Sequence, residues 1–143
     1  MGTGTIEWQE DFLVGHDDID KEHRTFVRLI QQLETCPDTE VLQNLEELIS
    51  GTEKHFSLED RLMIDKNFPP RDCHIEEHQA VLKSGYDVLD LVKKGKYEVA
   101  RRYAHELAKW FPAHAAQLDS ALTHWITKQR YGAKPIVLKR KSV

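Results

Sequence analysis

Seven residues of this 143-residue chain combine types and spacings that suit metal binding: His23, the pair His55 and Glu59, the pair His74 and His78, and the pair His114 and Asp119. Residues four apart share one face of an α-helix. His55 and Glu59 in "HFSLEDRLM", like His74 and His78 in "CHIEEH", therefore converge on one point beside their helix. His114 and Asp119 are five apart, about 140° around a regular helix, and share a site only if it lies between their two directions. Five imidazoles with two carboxylates suit a borderline first-row ion such as iron, whereas calcium or magnesium would want oxygen donors alone. So many ligands exceed one tetrahedral zinc and suit two metals bridged by the carboxylates, with the remaining positions left to solvent or an exogenous ligand. The Glu-x-x-His motif of ferritin-like di-iron bundles does not occur in the chain.

Each of these polar residues sits on an otherwise apolar helical stripe. Over 19–35 the stripe is Ile19, His23, Phe26, Ile30 and Leu33, with Asp17, Asp18 and Asp20 suited to the N-terminal turn and Pro37 beyond the end. A second helix is predicted over 39–66, with Leu45, Leu48, Thr52, His55, Glu59 and Leu62 on one side. "NFPPRD" breaks the pattern, because consecutive prolines cannot extend a helix. A third helix over 73–94 carries His74, His78, Val81, Gly85, Val88 and Val92, and a fourth follows the short "KKGK" link over 97–131. Four helices on short connections predict an all-α, up-down-up-down antiparallel four-helix bundle. The predicted organisation is an N-terminal arm over 1–18, the bundle over 19–131 and a basic C-terminal tail over 132–143, where a protein partner has its possible contact.

Buried polar groups need partners, and seven inward residues on four helices have only one another. The remaining histidines lie elsewhere: His105 falls about half a turn from His114, His124 lies off the stripe, and His16 precedes the first helix, so all three read as solvated or capping residues.

Length suffices for one domain with a continuous core, so any metal serves function more than folding. Lys and Arg number 20 against 24 Asp and Glu, for a formal charge of -4, which argues against nucleic acid as the main partner. No apolar run reaches the ~18 residues that span a bilayer, and "MGTGTIEWQEDF" lacks the regions of a signal peptide, so a soluble, cytoplasmic protein is expected. Cys36 and Cys73 make no disulfide framework and read as reduced thiols, although Cys73 adjoins His74 and a ligand role for it is conceivable.

Taken together, Trp8, "VGHDDIDKEH", "HFSLEDRLM", "FPPRDCHIEEH" and "WFPAHAAQLD" give a pattern that resembles the hemerythrins, and most closely the bacterial ones, over most of the chain. The resemblance implies that His74, His78 and His114 hold one iron, His23 and His55 the other, and that Glu59 and Asp119 bridge them beside an oxo or hydroxo group. It leaves the second iron an open position, where members of the family bind dioxygen reversibly in an apolar pocket. The positions matching that pocket are Phe26, Phe56, Trp110, Phe111 and Ala115. This chain departs from the usual pattern, in which Leu follows the tryptophan and Ile follows the fourth-helix histidine, and it adds Pro112. A pocket reshaped for access is expected from those departures.

The function expected is therefore a non-enzymatic dioxygen-binding module for oxygen carriage, storage or sensing. An enzyme would normally place a proton donor beside the reacting oxygen, and the pocket positions offer only apolar side chains and the indole of Trp110. The alternative is a di-iron enzyme acting on peroxide, nitric oxide or ferrous iron at the same site. A bundle around structural zinc is disfavoured by the open positions.

Overall fold

Ile19, Phe26, Ile30 and Leu33 are buried along one side of the first helix with His23 among them. That continuous stripe is what turns the helix inward. The computed structural model describes residues 6–130. Within them, α1 (Asp17–Thr35), α2 (Val41–Asp65), α3 (Arg71–Lys93) and α4 (Tyr97–His114) form a four-helix bundle in which α1 and α3 each pack along both α2 and α4. The fourth predicted helix is helical through Arg130, but a wide π-helical turn, Ala115–Asp119, interrupts its regular ladder between α4 and α5 (Ser120–Arg130). The tail over 132–143, with the partner contact expected there, lies outside the described residues.

Short links carry their own stop signals. α1 starts two residues earlier than predicted because the His16 ring accepts the Ile19 N–H and caps the first turn. α2 ends in a Schellman motif: Phe68 N–H bonds Met63 C=O and Asn67 N–H bonds Ile64 C=O, with Asn67 at φ 52. α3 ends the same way around Gly95, where φ is +90 and a side chain would be strained.

Two apolar clusters occupy the core. The larger holds Phe26, Leu33, Leu45, Leu48, Phe111 and Ala115, and the smaller holds Ile19, Met63, Phe68, Leu122 and Ile126. Along the chain Ile19 and Phe26 flank His23, Ile49 and Met63 flank His55 and Glu59, Phe68 and Val88 flank His74 and His78, and Phe111 and Leu122 flank His114 and Asp119, one residue of each pair from either cluster. The polar residues thus form a layer walled by hydrocarbon on both sides. No helix among the described residues is long and apolar enough to cross a membrane.

Candidate metal centre

All seven predicted ligand side chains meet in this layer, each no more than 4 % exposed. Every histidine presents Nε2 to the carboxylates. His55 Nε2 lies 2.8 Å and His23 Nε2 3.5 Å from Glu59 Oε2, while His74 Nε2 and His78 Nε2 lie 3.4 and 3.1 Å from Glu59 Oε1. Asp119 divides in the same way: Oδ2 is 2.8 Å from His23 Nε2, and Oδ1 is 3.0 Å from His74 Nε2 and 3.2 Å from His114 Nε2. One oxygen of each carboxylate faces the two-histidine side and the other faces the three-histidine side.

Asp119 reaches this position through the π-helical turn. A regular α-helix would hold it about 140° from His114. Instead Ser120 N–H bonds back to Ala115 C=O, an i→i−5 step that widens the turn and brings positions five apart onto one side. The expectation of two divergent directions is corrected accordingly. Pro112, inside α4, lacks the N–H that would continue the regular ladder just before this turn.

Sequence reasoning missed the outer partners of the imidazoles. Asp60 Oδ1 is 2.7 Å from His78 Nδ1, Glu77 Oε1 is 2.8 Å from His114 Nδ1, and the Phe12 carbonyl is 3.3 Å from His23 Nδ1. Such acceptors take the Nδ1 hydrogen, fix the tautomer and leave the Nε2 lone pair facing inward. Asp60 follows Glu59 and Glu77 precedes His78, so an acid beside a ligand was the available signal. The Phe12 carbonyl has no such signal.

The five pocket positions spread over both sides of the layer. Phe26 and Phe111 lie against the two-histidine side, Phe26 edge-on to His55 at 5.6 Å and Phe111 edge-on to His23 at 4.9 Å. Phe56 touches both sides, stacked on His78 at 3.8 Å and tilted against His55 at 5.2 Å, and Trp110 stacks on His114 at 4.2 Å while its N–H donates to Glu77 at 3.1 Å. Ala115 is buried in the larger apolar cluster with Phe111. His105 and His124 are exposed, and Cys36 and Cys73 are free thiols outside the ligand groups.

Without metal the layer holds protons. Burial alone would push the His23 pKa down, but bonds to Asp119 and Glu59 outweigh it and raise the ring to about 10. His74 is raised to about 9 against the same burial effect, again by Asp119 and Glu59. Burial disfavours the charged carboxylates, yet the surrounding imidazoles hold Glu59 and Asp119 below the ordinary carboxylate range.

Those contacts do not satisfy the layer. His55 Nδ1, His74 Nδ1, His78 Nε2, Glu59 Oε1 and Asp119 Oδ1 are buried without an aligned hydrogen bond, and such an atom costs about 1–3 kcal/mol. Cations would satisfy the inward atoms among them. One donor atom from each of Glu59, His74, His78, His114 and Asp119 lies within 4.8 Å of the others, as does one from each of His23, His55, Glu59 and Asp119. Donors held about 2.1 Å from a first-row ion stand up to about 4.2 Å apart, so each group is close to the span that one ion draws together. The two groups share both carboxylates, and the second has one histidine fewer.

Comparison with known proteins finds a cation-binding family. The profile of the hemerythrin HHE cation binding domain matches residues 14–126. The chain is 30% identical over 124 residues to a bacteriohemerythrin of Ralstonia nicotianae, covering 87% of this chain and 90% of that protein. It is 34% identical over 113 residues to a bacteriohemerythrin of Aquifex aeolicus, covering 75% and 86%. It is 26% identical over 113 residues to a myohemerythrin of Theromyzon tessulatum, covering 79% and 87%.

Proposed function

Because the chain belongs to the hemerythrin family, we propose that it holds two iron ions and uses the less filled of the two positions to bind dioxygen reversibly, without turnover, in oxygen carriage, storage or sensing. The observation that carries this reading is the division of the carboxylates. Glu59 and Asp119 each turn one oxygen to His23 and His55 and the other to His74, His78 and His114. Two carboxylates shared between five and four donors suit bridged ions with unequal vacancies. When bound, the iron pair supplies electrons and a free coordination position to a small ligand.

The protein's part is orientation and exclusion. Asp60, Glu77 and the Phe12 carbonyl hold three of the imidazoles with Nε2 inward. Phe26 and Phe111 wall the two-histidine side with hydrocarbon and keep water and its protons from it. The Trp110 N–H, the one polar group among the pocket positions, is engaged by Glu77, which supports binding over proton-coupled turnover. The cytoplasmic location expected from the sequence belongs to the same proposal.

Metal analysis of protein purified from cells, with absorption spectra before and after air meets the reduced form, tests the reading. Two irons per chain and a spectrum that reverts on removing oxygen are expected. Zinc retained in preference to iron, or one iron per chain, overturns it. Sustained consumption of peroxide or nitric oxide would favour the enzymatic alternative.

A further inference from the structure

Asp20 stands in the first turn of α1, where an acidic residue ordinarily faces solvent beside the helix N-terminus. Here it is 7 % exposed and turned back onto the preceding segment. Its Oδ1 accepts the Val14 N–H at 2.7 Å and its Oδ2 accepts the Gly15 N–H at 3.2 Å. Two consecutive amides aim at one carboxylate because the chain reverses at Gly15, whose φ of +87 a side chain would strain. Such charge-assisted bonds offset the cost of burying the acid.

The clasp holds more than a turn. Asp20 and His23 are three apart and share a side of α1, so the segment gripped by the first lies over the second. The Phe12 carbonyl stands 3.3 Å from His23 Nδ1, and the turn Glu10–Phe12 packs against Ala115–Asp119, which carries the other group bound to His23. The Phe12 ring meets Phe111 edge-on at 5.2 Å, behind the face that Phe111 turns to His23. Further back, Trp8 meets Phe12 at 5.5 Å, the Arg24 guanidinium lies 4.8 Å over the Trp8 ring, and Gln31 donates to the Ile6 carbonyl at 2.8 Å. The arm follows α1 from Asp20 to Gln31.

Resting on the two-iron reading, we propose that this arm is a working part of the centre and that Asp20 is its positioning residue. By clamping the chain at Val14 and Gly15, Asp20 sets the Phe12 carbonyl that aims His23 and the Phe12 ring that backs the pocket wall. The consequence falls on one side of the centre. Of the two imidazoles there, His55 has no partner at Nδ1 among the described residues, so the bond from the arm to His23 is the one outer hydrogen bond on that side.

The test uses the full chain with Asp20→Ala and Phe12→Ala. In metal-free protein, hydrogen exchange at the Val14 and Gly15 amides should accelerate in Asp20→Ala and stay at the parent rate in Phe12→Ala. In iron-loaded protein, Asp20→Ala should give up one of its two irons to a chelator about tenfold more readily than the parent, the usual penalty for a lost outer partner. Its azide association with the diferric form should also quicken. Phe12→Ala keeps the carbonyl and loses the ring, so azide association should quicken while both irons are retained as in the parent. Unchanged amide exchange in Asp20→Ala overturns the clasp, and parent-like iron retention overturns its role in aiming His23. Unchanged azide association in Phe12→Ala overturns the role of the ring. A parent that holds no iron pair would sink the functional reading instead, and the amide exchange would still report on the clasp.

Discussion

His114 Nε2 and Asp119 Oδ1 stand 3.2 Å apart although their positions are i and i+5, because the chain between them makes a π-helical turn closed by Ser120 N–H on Ala115 C=O. Such turns are rare and recur at functional sites. Deleting the exposed Ala116 would turn the pair into i and i+4 in a regular helix, without rotating α5. The metal-free deletion variant should melt above the parent, since the ladder is regular. Its loaded form should lose iron faster, since the Asp119 carboxylate shifts along the helix axis. Thermal melts and chelator extraction check both, and slower extraction than in the parent would show that the turn is not there for the metal.

Glu59 and Asp119 each offer one oxygen to either side of the layer, whereas His23 serves only one. Glu59→Ala and Asp119→Ala should therefore release both metals, and His23→Ala chiefly one. Metal content after gel filtration distinguishes these outcomes. Equal loss in all three variants would contradict the sharing of the carboxylates.

Asp60 and Glu77 touch Nδ1 of His78 and His114 and lie outside the two donor groups. Asp60→Asn and Glu77→Gln should keep the helical content while weakening metal retention by about 10–100-fold. Glu77→Gln should also alter Trp110 fluorescence, because the indole N–H shares the same carboxylate oxygen. Competition with a chelator of known affinity measures the first effect.

The pH response of the metal-free protein should be opposite to that of the loaded one. His23 and His74 titrate at about 10 and about 9 in the folded chain against 6.5 unfolded, so their stabilisation is full below pH 6.5 and is lost as pH rises through 9 to 10. Glu59 and Asp119 are lowered, so theirs is present above the ordinary carboxylate range and is lost on acidification. Metal must displace the imidazole protons, so loading strengthens with pH over the same alkaline range. Circular dichroism melts at pH 6.5 and 9.5 should show the metal-free midpoint falling and the loaded midpoint exceeding it most at the higher pH. Helical signal should persist after chelation, since the two apolar clusters do not depend on the centre.

Phe111 is fully buried among Phe12, Phe26 and His23, and occupies the wall on the two-histidine side. Phe111→Ala should lower stability by about 3–5 kcal/mol and speed both autoxidation and azide association. Ala115→Ile should slow autoxidation and weaken azide binding, at an overpacking cost of about 1–3 kcal/mol. Denaturant titration and decay of the oxygenated spectrum check the two. Rates unchanged in Ala115→Ile would show that residue 115 does not face the pocket.

The four stripes and the seven polar residues on them were legible from the chain, because helical periodicity is local and a histidine recurring on an apolar stripe needs no knowledge of the partner helix. The resemblance of "HFSLEDRLM" and "FPPRDCHIEEH" to a known family added an assignment of ligands to ions. The fourth helix predicted over 97–131 is helical through Arg130, but its ladder widens at Ala115–Asp119, where a regular and a widened turn differ by one hydrogen-bond step and sequence marks that step weakly. Pro112 was the visible hint, and it shows where the ladder is interrupted without showing which way the next turn resolves. Tertiary structure alone decided which oxygen of Glu59 and Asp119 faces which imidazole, since that follows from the approach of four helices. It also decided that Phe56 and Trp110 stack on His78 and His114, while Phe26 and Phe111 pack edge-on to His55 and His23. The Phe12 carbonyl beside His23 was least legible of all, because a backbone acceptor has no residue type, and only the fold of the arm brings it there.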